Sequence, residues 1–361
     1  MRKALGLIGL IIVLCMLAYF WEWLQWYRHG KDLGISFSSN FLSLTNFKNL
    51  LPWIGLFGIL ALAQSIVIIT GGIDLSIGSV VCLVSVISCI LIDKGQGWSP
   101  FLIFPFALCI SALIGLWHGT LISYFNIQPF VVTLCGLFAY RSFARFFAGD
   151  TTQGFGNALP NWKWLGKGTL LDWFPSLQPS GGAPSSTVAL LMDLIAAPLV
   201  IMILFTIIVG LFLHLSPMGR HLFALGANEE SARFSGIQTN RLKLLAYVIC
   251  SIIAGIGGLL FAFKVNSVQP SDFGSFYELY AVAGAVLGGC SLRGGTGNVI
   301  GVILGIALIM VLRNLVNILG IRSELEYVVI GGAILAGVCA DEFFMRRSQK
   351  KRTIEAQKEA K

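Results

Sequence analysis

Asp74 is the residue whose chemistry stands out, in Ile69-Thr70-Gly71-Gly72-Ile73-Asp74-Leu75-Ser76-Ile77-Gly78-Ser79, with long apolar runs on either side. Insertion scales put a carboxylate at membrane depth at about 2.5–3.5 kcal/mol, so it must face a bundle interior or a wet cavity. Gly71 and Gly72 allow a sharp backbone break. Three readings of Asp74 stay open. Either Asp74 or Ser76 caps the orphan N–H groups of a helix starting near Leu75, or Asp74 contacts a substrate directly, or it serves gating or assembly.

A second glycine-rich break follows in Leu287-Gly288-Gly289-Cys290-Ser291-Leu292-Arg293-Gly294-Gly295-Thr296-Gly297. Gly288, Gly289, Leu292 and Gly295 repeat the GGxxLxxG pattern of Gly71, Gly72, Leu75 and Gly78. Paired interruptions of apolar segments point to a transport site, although 41 of the 361 residues are glycine and the match alone is weak. Neither run continues into Gly-Lys-Ser/Thr, so neither is a nucleotide-binding P-loop.

The third stretch is Gly219–Ile237, GRHLFALGANEESARFSGI. Asn228 is a plausible N-cap for a short helix through Phe234, with Glu229 and Glu230 in the first turn where the helix dipole favours acids. Gly236 then ends it. A helix this short needs a surface to pack on, either the lipid headgroups or a soluble partner. Among the other polar residues, Arg141 and Arg145 lie one turn apart on one helix face. Gln64, Asn126 and Gln128 suit hydrogen bonds within a bundle. His118 and His214 lack ligand spacing, and no metal or cofactor set is expected.

The elements that hold these residues are set by composition. The apolar and aromatic residues make up 56% of the chain and the charged ones 12%, about half the usual charged share of roughly 25%. With a mean hydropathy of +0.81, the chain reads as an all-α, polytopic membrane protein. Apolar runs predict about ten helices, some broken: 4–27, 49–70, 75–93, 100–125, 130–148, 193–215, 244–264, 277–290, 298–317 and 325–344. The N-terminal run lacks a small-x-small cleavage site and is expected to be a retained first helix. The net charge of +8 does not imply nucleic acid. Thirteen of the 25 basic residues cluster at Arg2 and Lys3, at Arg220, Arg233, Arg241 and Lys243, and in seven positions from Arg346 to Lys361. Under the positive-inside rule these mark the cytoplasmic side. With both termini inside, parity places 216–243 inside and 149–192 outside. That outer loop carries Trp162, Trp164, Trp173 and Phe174, an interfacial belt or a docking surface. The eight cysteines all lie in apolar runs and read as packing residues. A single transmembrane domain, 1–345, is expected, followed by a solvated basic tail, 346–361.

Taken in order, Thr70–Ser79 (TGGIDLSIGS), Ala224–Ile237 (ALGANEESARFSGI) and Glu278–Gly297 (ELYAVAGAVLGGCSLRGGTG) resemble the transmembrane permease of ribose/xylose/galactose-type monosaccharide ABC importers, a superfamily shared with branched-chain amino acid permeases. The resemblance spans about 40–345. It implies alternating access, a homo- or heterodimer with a second permease copy, a separate cytoplasmic ABC ATPase, a periplasmic sugar-binding protein and residence in the bacterial inner membrane. It makes 226–236 the coupling helix, with Gly226, Asn228, Glu229, Glu230, Ala232, Ser235 and Gly236 toward the ATPase. Candidate pathway or gate residues are Gly71, Gly72, Asp74, Ser76, Gln64, Arg141, Glu278, Gly288 and Gly289. Two departures stand out: Tyr280 sits where the family usually has an acid, and 149–192 is long and rich in Trp. Alternative substrates are a branched-chain amino acid, a nucleoside or an autoinducer. The rival classes are an ion-coupled secondary transporter and a passive channel.

Overall fold

A computed structural model describes residues 2–30, 37–93, 98–156, 159, 162–174, 186–322, 325–332 and 335. Among the described residues thirteen α-helices follow one another: α1 (Arg2–Gln25), α2 (Leu44–Ile69), α3 (Ile77–Asp93), α4 (Pro100–Ser123), α5 (Pro129–Ala148), α6 (Trp164–Lys167), α7 (Thr187–Leu194), α8 (Ala197–Leu215), α9 (Pro217–Ala227), α10 (Glu229–Phe234), α11 (Thr239–Val265), α12 (Tyr277–Leu287) and α13 (Val299–Ile318). Helix continues at 326–332. Among the described residues seven helices are long and apolar enough to cross a membrane, and α3 and α12 are apolar but shorter. The protein is therefore an all-α, multi-pass membrane protein. Most of the tenth expected span and the basic tail 346–361 lie outside the described residues.

α2 is the centre of the bundle. Every residue from Ile54 to Ile69 is buried, as a helix apolar on all sides requires, and it packs against α8, α11, α12 and α13. α11 is the second axis, set against α2, α3 and α4. α1 packs on α13 and leaves Leu5, Met16 and Leu17 exposed, the surface expected of a helix facing lipid. Local signals set the helix starts. The Ser43 hydroxyl accepts from Asn46 N–H at 3.2 Å to begin α2. Asn298 Oδ1 accepts from Ile300 N–H at 3.0 Å to begin α13.

The span expected over 277–290 proves to be a half-span. α12 has 11 residues, which at 1.5 Å per residue is about 16 Å, roughly half the hydrocarbon thickness. The missing length is taken by residues 266–276, which descend into the bundle as irregular chain. A Cβ built on Gly78, in the first turn of α3, would lie 2.1 Å from the Gly274 carbonyl oxygen. Irregular backbone at membrane depth survives only when protein satisfies its polar groups. Arg141 of α5 does this, its guanidinium donating to the carbonyls of Pro270 (3.2 Å) and Phe273. At the mouth of this descent Gln153 and Val268 exchange backbone hydrogen bonds of 2.9 and 2.7 Å. The loop after α5 is thereby tied to the end of α11. Its aromatics divide: Trp162 packs on Phe104 of α4 with ring centroids 5.1 Å apart, and Trp164 pairs with Trp173.

Candidate functional site

α2 ends when Thr70 Oγ1 turns back to the Val67 carbonyl at 2.7 Å and Gly71 enters the left-handed region at φ 81°. α12 ends in a similar way. Gly288 still has helical φ (−65°), Gly289 swings to φ 98°, and Cys290 N–H closes on the Ala285 carbonyl at 2.9 Å. The two ends meet, with the Gly295 N–H donating to the carbonyl of Ile69, the last residue of α2, at 2.9 Å.

A third chain segment wedges against that hydrogen bond. A Cβ on Gly226, near the end of α9, would lie 1.8 Å from the Ile69 oxygen and 2.5 Å from the Gly295 nitrogen. A Cβ on Gly294 would lie 2.7 Å from the Gly226 oxygen and 2.8 Å from the Gly71 nitrogen. Backbone touches backbone, so only glycine fits at 226 and 294. The three segments singled out in the sequence therefore converge on one junction. Within it Gly288 belongs to helix packing, a Cβ there falling 2.5 Å from the Gly301 carbonyl oxygen, and Gly289 makes the bend.

α10 continues directly from the junction. Asn228 Oδ1 accepts from Ser231 N–H at 2.9 Å and caps it. Ser235 Oγ donates to the Ser231 carbonyl at 2.9 Å, and Gly236 ends the helix at φ 82°. Glu229 pairs with Lys243 of α11 at 2.6 Å. The expected coupling residues divide between two faces. Gly226 and Ala232 face the bundle, Ala232 being buried, whereas Asn228, Glu229, Glu230, Ser235 and Gly236 are exposed. Beside them Phe234 is 84% exposed. Sequence reasoning passed over Phe234 and the Lys243 pairing. The available signal was an aromatic residue at the end of a short polar helix.

Asp74 lies in the bundle interior, 1% exposed. Its Oδ1 accepts from the Ser76 N–H at 2.8 Å and the Ser76 hydroxyl at 2.7 Å, and Cys250 Sγ lies 3.9 Å from Oδ2. The Gln64 amide, oriented by its partners, donates to the Asp74 carbonyl at 3.1 Å and accepts from the Asp74 N–H at 3.2 Å. Gln64, Asp74 and Ser76 are thus brought together. The helix begins at Ile77 and not near Leu75, and Ser76 supplies the first carbonyl, accepting from Val80 N–H at 2.9 Å. Asp74 fixes the shape of the break by holding Ser76, and does not cap helical N–H groups itself. Gly72 also marks a close approach, since a Cβ there would lie 2.5 Å from the Tyr247 hydroxyl.

Arg141 and Glu278 form a second cluster around the descending segment. Glu278, in the first turn of α12, is buried, and its Oε2 lies against Gly78 beside the Gly274 carbonyl, 2.3 Å from where a Cβ on Gly78 would be. Arg145 has a separate role in a bidentate pair with Asp150, at 2.7 and 2.9 Å. His118 packs in the bundle with Nε2 2.9 Å from the Tyr140 hydroxyl. Tyr280, the departure noted in the sequence, donates to Glu326 Oε1 at 3.1 Å, and Arg313 Nε meets the same oxygen at 2.9 Å. The Arg313 guanidinium also lies 6.0 Å from the Trp53 ring and 5.9 Å from the Tyr280 ring. Sequence reasoning missed Arg313, although a charge inside the apolar run 298–317 was a readable signal.

Residues 46–338 match the family described as branched-chain amino acid transport system / permease component. The ribose import permease protein RbsC of Escherichia coli (strain K12) is 30% identical over 305 residues, 84% of this chain and 88% of that protein. RbsC of Bacillus subtilis (strain 168) is 32% identical over 303 residues, covering 84% and 86%. The xylose transport system permease protein XylH of Escherichia coli (strain K12) is 30% identical over 345 residues, covering 85% and 87%. No solved structure matches the chain. The chain belongs to this family of transport-system permease components, and it is a transport subunit, not an enzyme.

Proposed function

We propose that the chain is the permease subunit of an ATP-binding-cassette importer in the bacterial inner membrane, forming the path for a monosaccharide by alternating access. The observation that carries this reading is the junction. The breaks after α2 and α12 are hydrogen-bonded to each other, and Gly226 wedges them beneath an exposed α10. A push on α10 therefore reaches both breaks without an intervening flexible link. A separate cytoplasmic ABC ATPase supplies the push, and Glu230, Arg233 and Phe234 present the face it grips. Arg220, Arg233, Arg241 and Lys243 support a cytoplasmic location for this face, which puts both termini on that side. The tied loop 149–156 then faces a periplasmic sugar-binding protein, and a second permease copy completes the path. The similarity to ribose and xylose permeases supports a sugar over a branched-chain amino acid, a nucleoside or an autoinducer. Gln64, Asp74 and Ser76 hold the break and do not touch substrate in this reading, while Arg141 and Glu278 hold the descending segment.

The test is uptake of D-ribose and D-xylose by the chain reconstituted with the ATPase and binding protein encoded beside it. Uptake is expected to require ATP. Phe234→Asp should insert normally yet lose both the co-purifying ATPase and uptake. Uptake by the chain alone, driven by an ion gradient, would refute the reading.

A further inference from the structure

Beside the junction lies an open cleft of about 280 Å³, bordered by the break at 70–72, the connection between α4 and α5, the start of α10 and the side of α11, with Asn126, Gln128 and Glu229 exposed at its mouth. Its polar lining is Thr70, Asn126, Gln128, Glu229, Lys243 and Tyr247. Three properties of that lining define a ligand. Glu229 and Lys243 neutralise each other at 2.6 Å, so the lining offers no net charge to an anion or a cation. Asn126 and Gln128 bring two amides, each able to donate and accept. Among the described residues neither amide is engaged by a hydrogen bond, and Gln128 does not cap α5 although it stands at its N-cap position. Asn126 is held at φ 54°, a left-handed backbone conformation uncommon outside glycine. The volume equals that of about nine liquid waters, and it falls below the range for drug-sized ligands. It accommodates one pentose or hexose.

We propose that this cleft binds the transported monosaccharide after its release, and that occupancy slows further import. The inference rests on the reading of the chain as a sugar-import permease. A polyhydroxyl ligand bridging the 126–128 amides to the 70–72 break and the Glu229–Lys243 pair would clamp α10 to the bundle. That is the contact a stroke of the ATPase has to shift. Sugar accumulated on the α10 side would then resist its own uptake.

The test uses the assembled importer in proteoliposomes, with ATP and unlabelled D-ribose or D-xylose in the lumen and labelled sugar with binding protein outside. Luminal sugar is expected to lower the initial rate of labelled uptake about 5-fold or more, the low end of ordinary allosteric coupling. Asn126→Gly with Gln128→Ala removes both amides, and glycine accepts the φ at 126 without strain. This variant should match the wild type in sugar-free liposomes and lose the inhibition. Added sugar should also slow hydrogen–deuterium exchange over 124–128 in the wild type and not in the variant. The proposal is overturned if luminal sugar leaves the wild-type rate unchanged, or if it slows wild type and variant equally. Uptake into sugar-free liposomes tests the import reading separately, since its absence would refute that reading whatever the luminal sugar does.

Discussion

Gly226→Ala is the most informative perturbation of the junction. The new methyl would sit 1.8 Å from the Ile69 carbonyl oxygen and 2.5 Å from the Gly295 nitrogen, against the side of the hydrogen bond that joins the two breaks. Both clashing atoms are backbone, so no side chain can rotate away, and the segments must separate. Losing the Gly295–Ile69 bond, whose donor residue is half-buried, costs about 1–3 kcal/mol. Displacing packed backbone costs about 1–3 kcal/mol more. The expected destabilisation is therefore about 2–6 kcal/mol. Gly210→Ala is the matched control, because a Cβ there meets nothing within 4 Å in the middle of α8; it should be neutral or stabilising by up to about 1 kcal/mol. Thermal unfolding of the purified protein in nanodiscs compares the two. ATP hydrolysis and sugar uptake by the reconstituted importer then show whether hydrolysis persists while transport is lost. If Gly226→Ala proved as stable and as active as Gly210→Ala, the three segments would not be in mechanical contact.

Three further outcomes are expected. Arg141→Ala leaves the Pro270 and Phe273 carbonyls without their charged donor, and should lower stability by about 3–6 kcal/mol at about 1.5–3 per bond; Arg141→Lys, which keeps one donor group, should recover part of it in the same melt. Asp74→Asn keeps an oxygen for the Ser76 N–H and hydroxyl, so it should cost under about 1 kcal/mol and retain uptake, whereas Asp74→Ala should cost about 2–3 kcal/mol; loss of uptake in a well-folded Asn variant would assign Asp74 to the transport path. Glu229→Lys should weaken coupling by breaking the pair with Lys243, and Glu229→Lys with Lys243→Glu should restore it; the pair is half-exposed, so its effect on stability should stay within about 1 kcal/mol and uptake is the informative readout.

What was legible in the sequence follows from which signals are local. The apolar runs reported most helices to within a few residues, because burial in lipid leaves little else to write in a span. Asp74 was recognisable as an interior residue from its surroundings alone. The convergence of the three glycine segments was not legible. Ile69, Gly226 and Gly295 are far apart in the chain, and the patterned glycines looked alike whether they bend the backbone, as Gly289 does, or admit a neighbouring helix, as Gly288 does. The run 277–290 was legible as a short one, but what completes its crossing was not: residues 266–276 (NSVQPSDFGSF) are mostly polar and read as a loop, and the feature that seats them in the bundle is the distant Arg141 that donates to their carbonyls. Tyr280 was noticed as a departure, but its meaning needed Arg313 and Glu326, which come from separate helices.

The junction also explains why two similar glycine breaks on the same side need not be halves of an inverted repeat. A transporter driven from outside the bilayer has to deliver one displacement to two places at once. Two breaks on opposite faces would need a lever through the core, and α2, buried from Ile54 to Ile69, leaves no room for such a lever to slide. Two breaks on one face can share a contact. Gly295 bonded to Ile69, with Gly226 against both, is such a contact, and α10 begins two residues beyond Ala227. Movement of α10 should therefore alter the ends of α2 and α12 in step. Spin labels at exposed Ser231 of α10 and at exposed Leu292, in the loop after the second break, should report a single concerted change during ATP turnover, and independent changes at the two sites would show that the junction does not transmit as a unit.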